Sequence, residues 1–155
     1  MTVSKTDDRV VEHILLIDDD ETMTEVLRAV LGGPEGLGYH VTVAPNGLLG
    51  LNCMHGLMGE EKPDLVLLDL VMPDFDGWEF MVAKNSDALV RDIPVLIVTA
   101  TALESEKVRS IQGAIAILQK PYELDQVLGE IVKVKPPIPR GSRVEKSSRA
   151  RIVVS

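Results

Sequence analysis

His13-Ile14-Leu15-Leu16-Ile17-Asp18-Asp19-Asp20 decides the architecture of this chain. A continuous apolar run that ends in acid fits a strand covered on both faces, because a strand with one wet face alternates instead. Glu21 to Leu31 follows with apolar residues at Met23, Val26, Leu27, Val30 and Leu31, a helical period that Gly32-Gly33-Pro34 stops. The same pairing recurs four times downstream. Tyr39 to Val43 reads as a second strand and Asn46 to Met58 as a helix weakened by Gly47, Gly50 and Gly56. Leu65 to Leu68 is a third strand, followed by a helix from Asp76 to Lys84 with Asp76 as its N-cap. Pro94 to Val98 and Leu103 to Ile111 make the fourth pair, and Ile115 to Leu118 and Glu123 to Val132 the fifth. Alternation of this kind predicts an α/β fold: a doubly wound, five-stranded parallel sheet of flavodoxin-like strand order 2-1-3-4-5.

Composition agrees with one such domain and a short appendage. The 155 residues are 45% hydrophobic and 26% charged, as in ordinary globular proteins. The longest apolar runs are too short to cross a bilayer, and Met1 to Arg9 lacks an apolar signal core. A cytoplasmic location is therefore expected, with no membrane partner. Cys53 is the single cysteine and reads as a small helix-packing residue. Charge divides the chain. Residues 1–132 hold nine Lys/Arg against 23 Asp/Glu, a net of −14, whereas residues 133–155 hold seven against Glu145 alone, a net of +6. Three units are expected: an extension over 1–10, a domain over 11–134 and a basic, Pro- and Ser-containing tail over 135–155. The tail reads as a solvated linker, with nucleic-acid binding as its alternative.

The acids fall at informative places. Asp18, Asp19 and Asp20 end the first strand and Asp69 ends the third, and the expected strand order makes these strands neighbours. Converging carboxylates repel one another and call for a cation, and hard oxygen donors suit Mg²⁺, or Mn²⁺ in its place. Thr99 ends the fourth strand and Lys120 follows the fifth, bringing a hydroxyl and an ammonium to the same crevice. Phosphoryl transfer to a carboxylate needs those parts. Asp69 stands alone and suits the nucleophile; Asp18 and Asp19 form a pair suited to metal. Each also has a plainer reading: a cap for Asp20, a structural threonine, a solvated lysine. Their coincidence at successive strand ends favours function.

These segments resemble receiver domains of response regulators in two-component signalling, from about Val11 to Val134. The resemblance is carried by Ile14 to Asp20, by Pro63-Asp64-Leu65-Val66-Leu67-Leu68-Asp69-Leu70-Val71-Met72-Pro73 with Asp76-Gly77, by Arg91 to Ala100, and by Gln119-Lys120-Pro121-Tyr122. It implies that Asp18, Asp19 and Asp69 bind Mg²⁺ together with the Val71 backbone carbonyl. It implies further that Asp69 takes a phosphoryl group from a phosphohistidine on a histidine kinase or phosphotransfer protein. Thr99 and Lys120 then contact that group, the Ala100 amide assists, and Lys120-Pro121 is commonly cis. The expected role is a stand-alone switch, not an enzyme acting on a free substrate, whose changed surface engages a downstream protein or a second copy. Ile117 departs from the family, which commonly carries an aromatic ring there. Ile115 and Ala116 replace residues that are often polar, and core is favoured over an interaction patch.

Rival motifs are weaker. Asp18-x-Asp20-x-Thr22 fits the nucleophile motif of haloacid-dehalogenase-type phosphohydrolases, but that family needs a further acidic pair downstream and leaves Asp69 unused. Asp74-x-Asp76-Gly77 lacks the outer ligands of a calcium loop. No phosphate-cradling or dinucleotide glycine motif occurs, and His13, His40 and His55 lack metal-ligand spacing.

Overall fold

A computed structural model describes residues 9–56 and 61–135. Most of the expected extension over 1–10 and nearly all of the basic tail over 135–155 lie outside the described residues. Among the described residues ten elements alternate: β1 (His13–Ile17), α1 (Glu21–Leu31), β2 (His40–Ala44), α2 (Gly47–Met54), β3 (Leu65–Asp69), α3 (Gly77–Asn85), β4 (Val95–Thr99), α4 (Glu106–Arg109), β5 (Ala114–Gln119) and α5 (Leu124–Lys133). All strand pairs are parallel and the sheet order is β2-β1-β3-β4-β5, as the sequence predicts.

The continuous apolar runs are explained by where alternate side chains go. Leu15, Ile17, Val66, Leu68, Val95 and Ile97 face a core closed by Cys53 and Met54 of α2, Phe80 and Met81 of α3 and Val108 of α4. Ile14, Leu16, Leu65, Leu67 and Leu96 face the opposite core, closed by Leu27 and Leu31 of α1 and Val127 and Ile131 of α5. Every residue of β1, β3 and β4 is buried. A period-2 backbone wrapped on both sides has no wet face to mark with polar residues. At the amino end of the sheet, the buried Asp64 carboxylate accepts from the Glu12 and His13 amides at 2.8 and 3.0 Å, tying β1 to the approach to β3.

Helix starts follow their side-chain caps. Asp20, Asn46 and Asp76 accept from the amides of Met23, Leu49 and Glu79, and Asp76 completes a reciprocal capping box with Glu79. Three expectations are corrected. The second helix stops at Met54 and does not run to Met58, because Gly56 turns the chain at φ 76°. The fourth helix covers four residues instead of Leu103 to Ile111. Ser105 caps it through the Lys107 amide, and Val108 is its buried residue, too little apolar contact to hold a longer helix. Ile115, expected in the core, is 45% exposed. The β4–β5 register steps from Val95↔Ala114 to Leu96↔Ala116, so Ile115 is the extra residue of a bulge and turns outward, while Ala116 packs against the α1–α5 core.

Lys84 of α3 is sealed in the fold, and its ammonium donates to the Arg91 carbonyl at 2.6 Å. Burial pushes its pKa below the ordinary 10.5, against the opposing pull of Asp92. The unfolded chain therefore holds this proton more readily than the native state. Lys84 withdraws stability below its lowered pKa and returns it as pH rises toward 10.5. Denaturant titrations of the parent and Lys84→Met, run from neutral pH to that limit, should show the difference between them moving steadily in favour of the parent.

Candidate functional site

The site lies beyond the carboxyl ends of β1, β3, β4 and β5, at the point where chain order reverses across the sheet. Asp18 follows β1, and its amide donates to the Ala44 carbonyl at 3.1 Å, which fixes the strand tip. Its carboxylate is buried and accepts from the Asp20 amide at 2.9 Å. Asp69 is the last residue of β3, buried, and accepts from the Val71 amide at 3.2 Å. Carboxylate oxygens of Asp18, Asp19 and Asp69 all lie within 4.8 Å of one another, with Asp19 the exposed member.

Lys120 reaches this cluster from the end of β5. Its ammonium is 3.3 Å from Asp69 and 3.6 Å from Asp18. Its own amide donates to the Thr99 carbonyl at 2.7 Å, which sets where the side chain starts, and the Lys120-Pro121 peptide is cis. Thr99 is fully buried and its hydroxyl accepts from the Thr101 amide at 3.0 Å. The register Asp69↔Val98 places Thr99 one residue beyond Asp69 on the adjoining strand. Ala100 is exposed beside Lys120 at the edge of an apolar groove formed by α1 and the start of α5, and Val71 is exposed in the loop after Asp69.

Electrostatics follow from this crowding. Burial pushes the Asp18 carboxyl above its usual range; the Asp20 amide and Lys120 oppose that, while Asp69 and Asp19 add to it. Burial alone would lower the Lys120 ammonium, but attraction to Asp18 and Asp69 outweighs it and raises its pKa. Lys120 therefore stays charged, and its single positive charge pairs with two members of a three-carboxylate cluster.

The structure thus brings together Asp18, Asp19, Asp69 and Lys120 and sets Thr99, Ala100 and Val71 on the adjoining strand ends and loops. Asp20 serves as the α1 cap, its plainer reading. Sequence reading quoted Gly77 within the phosphoacceptor segment but assigned it no packing role. A Cβ there would lie 2.6 Å from the Leu70 Cα and 2.8 Å from the Asp69 carbonyl oxygen, so a glycine lets α3 begin against the backbone that carries Asp69. The one local signal was a glycine directly after an N-cap aspartate.

A flavodoxin-like sheet with carboxylates and a lysine gathered at its switch point defines a class of signalling modules. This chain belongs to the response regulator receiver domain family, whose model matches residues 14–132. It is 39% identical over 120 residues to protein PilH of Pseudomonas aeruginosa, covering 77% of this chain and 93% of that protein. It is 35% identical over 120 residues to the response regulator MprA of a Mycobacterium species, covering 77% of this chain and 48% of MprA. The chain thus spans about half the length of several curated relatives. The N-terminal domain of a response regulator receiver protein from Methanoculleus marisnigri superposes with a TM-score of 0.61 at 32% identity, covering 77% of this chain and 92% of that one. Receiver domains are signalling modules of two-component systems that take phosphoryl groups from histidine kinases. Among the described residues no helix is long and apolar enough to cross a membrane.

Replacing Gly77 with alanine should force the Asp69–Leu70 backbone aside. Chemical denaturation of Gly77→Ala is expected to show a loss of about 1–3 kcal/mol, the range for overpacking a close contact.

Proposed function

We propose that this receiver accepts a phosphoryl group on Asp69 from a phosphohistidine of a histidine kinase or phosphotransfer protein, and that the modification switches a protein-binding surface. The supporting observation is the position of the Asp69 carboxylate, within 4.8 Å of Asp18 and Asp19 and 3.3 Å from Lys120. The working unit is residues 11–134.

The donor set fits a hard divalent cation, since three clustered carboxylates all offer oxygen and only two of them pair with the one ammonium. Asp18, Asp19 and Asp69, with the Val71 carbonyl, would hold Mg²⁺ or Mn²⁺, which neutralises charge on the phosphoryl oxygens when bound. The chain's own groups do the remaining work. A carboxylate oxygen of Asp69 attacks phosphorus as the donor's P–N bond breaks, and the released imidazole takes a proton from water. Lys120 pairs with the negative oxygens of the transferring group. The Thr99 hydroxyl turns to hydrogen-bond one of them, and the Ala100 amide offers a second donor. Downstream, the altered surface engages a protein target or a second copy of the chain.

Acetyl phosphate with Mg²⁺ should add a single phosphoryl group, read by intact mass. Asp69→Asn or a chelator should abolish the gain, and Lys120→Met should slow it by about 100-fold, the scale for losing one preorganised charge-stabilising group. Labelling that survives in Asp69→Asn and disappears in Asp18→Asn would overturn this reading in favour of a phosphohydrolase-type nucleophile.

A further inference from the structure

Trp78 is the chain's sole tryptophan, and its polar contacts with Lys107 join α3 to α4. Its indole Nε1 donates to the Lys107 carbonyl at 3.1 Å, and the Lys107 ammonium stands 4.1 Å from the centroid of the same ring. The two sides of this contact differ in how firmly they are held. Trp78 follows Gly77, whose amide donates to the Leu70 carbonyl at 2.9 Å, so its end of α3 is fastened directly to the segment after Asp69. Lys107 sits in a four-residue helix whose buried residue is Val108.

The segment leading to α4 begins at Thr99. The Thr99 hydroxyl is bonded to the Thr101 amide at 3.0 Å, so a turn of that hydroxyl toward Asp69 breaks a tie at the start of the segment that runs to Ser105. Ser105 in turn caps α4 through the Lys107 amide. The segment tied at Thr99 thus leads, through Ser105, to the residue that Trp78 holds.

We propose that Trp78 and Lys107 form a latch that keeps α4 against α3, and that phosphorylation of Asp69 releases it. This inference rests on the assignment of Asp69 as phosphoacceptor. The latch combines one indole hydrogen bond with one half-exposed cation–π contact, together a bias of about 5- to 70-fold between held and released arrangements. Weakening it enlarges the released population, in which Thr99 is free to meet the incoming group, and so speeds labelling by a small donor.

The test follows intact mass and Trp78 emission in one sample of the full chain treated with acetyl phosphate and Mg²⁺, after a reading with Mg²⁺ alone. In this reaction the donor's acyl P–O bond breaks as the Asp69 O–P bond forms, and acetate leaves as its anion. Emission is expected to change in step with the gain of the phosphoryl group. Trp78→Phe, which loses the indole hydrogen bond, should be labelled about 2- to 13-fold faster than the parent, and Lys107→Met, which loses the cation–π contact and keeps the backbone carbonyl, about 2- to 5-fold faster. Lys107→Met keeps the indole and the core packing, and its emission change on labelling should shrink. A parent that gains the phosphoryl group with unchanged emission, or variants labelled no faster than the parent, would overturn the latch and leave Asp69 in place. A folded parent that gains no phosphoryl group would remove the assignment of Asp69, and the latch with it.

Discussion

One ammonium stands among carboxylates that would otherwise drive their strand tips apart. At separations near 4 Å, two like charges at a partly screened protein site repel by about 4 kcal/mol, and Asp18, Asp19 and Asp69 lie within such distances of each other. Lys120, at 3.3 and 3.6 Å from two of them, offsets part of that repulsion and keeps its own charge by doing so. The fold supplies the rest by holding the tips mechanically: the Asp18 amide on Ala44, the Gly77 amide on Leu70 and the Lys120 amide on Thr99 are all backbone ties. The crevice is thus a place where structure sustains an electrostatic deficit, and that deficit is what makes it receptive to a cation.

The deficit depends on the sheet order. Because the chain starts on an interior strand and its order reverses between β1 and β3, the helices after these two strands leave on opposite faces and open the gap between their tips. Asp69 would not meet Asp18 and Asp19 if the order followed the sequence.

Most of this was legible in the residues, for physical reasons. Strands with both faces covered write themselves as unbroken apolar runs, and β1, β3 and β4 were each found to within a residue. Carboxylates at strand ends are visible once the order is inferred, which is why Asp18, Asp19, Asp69, Thr99 and Lys120 could be picked out together. What escaped was set by tertiary contact. The length of α4 depends on how little of it is buried, and the outward turn of Ile115 depends on a register step between two strands. The amides of Val71 and Thr101 that engage Asp69 and Thr99 have no side-chain signature at all. Gly77 is informative only when the backbone beneath it is known.

The Asp64 clasp at the opposite end of the sheet bears on how such a module can transmit. With the entry to β1 held by two short hydrogen bonds, and β1, β3 and β4 packed on both sides, the central strands cannot slide along their axes without breaking a close-packed interior. A disturbance born at the strand tips is then denied the stiff middle of the molecule. It must travel sideways along the rim, toward the elements with least to lose: the single turn of α4 and the half-covered β5 edge. Rigidity at one pole makes the other pole directional.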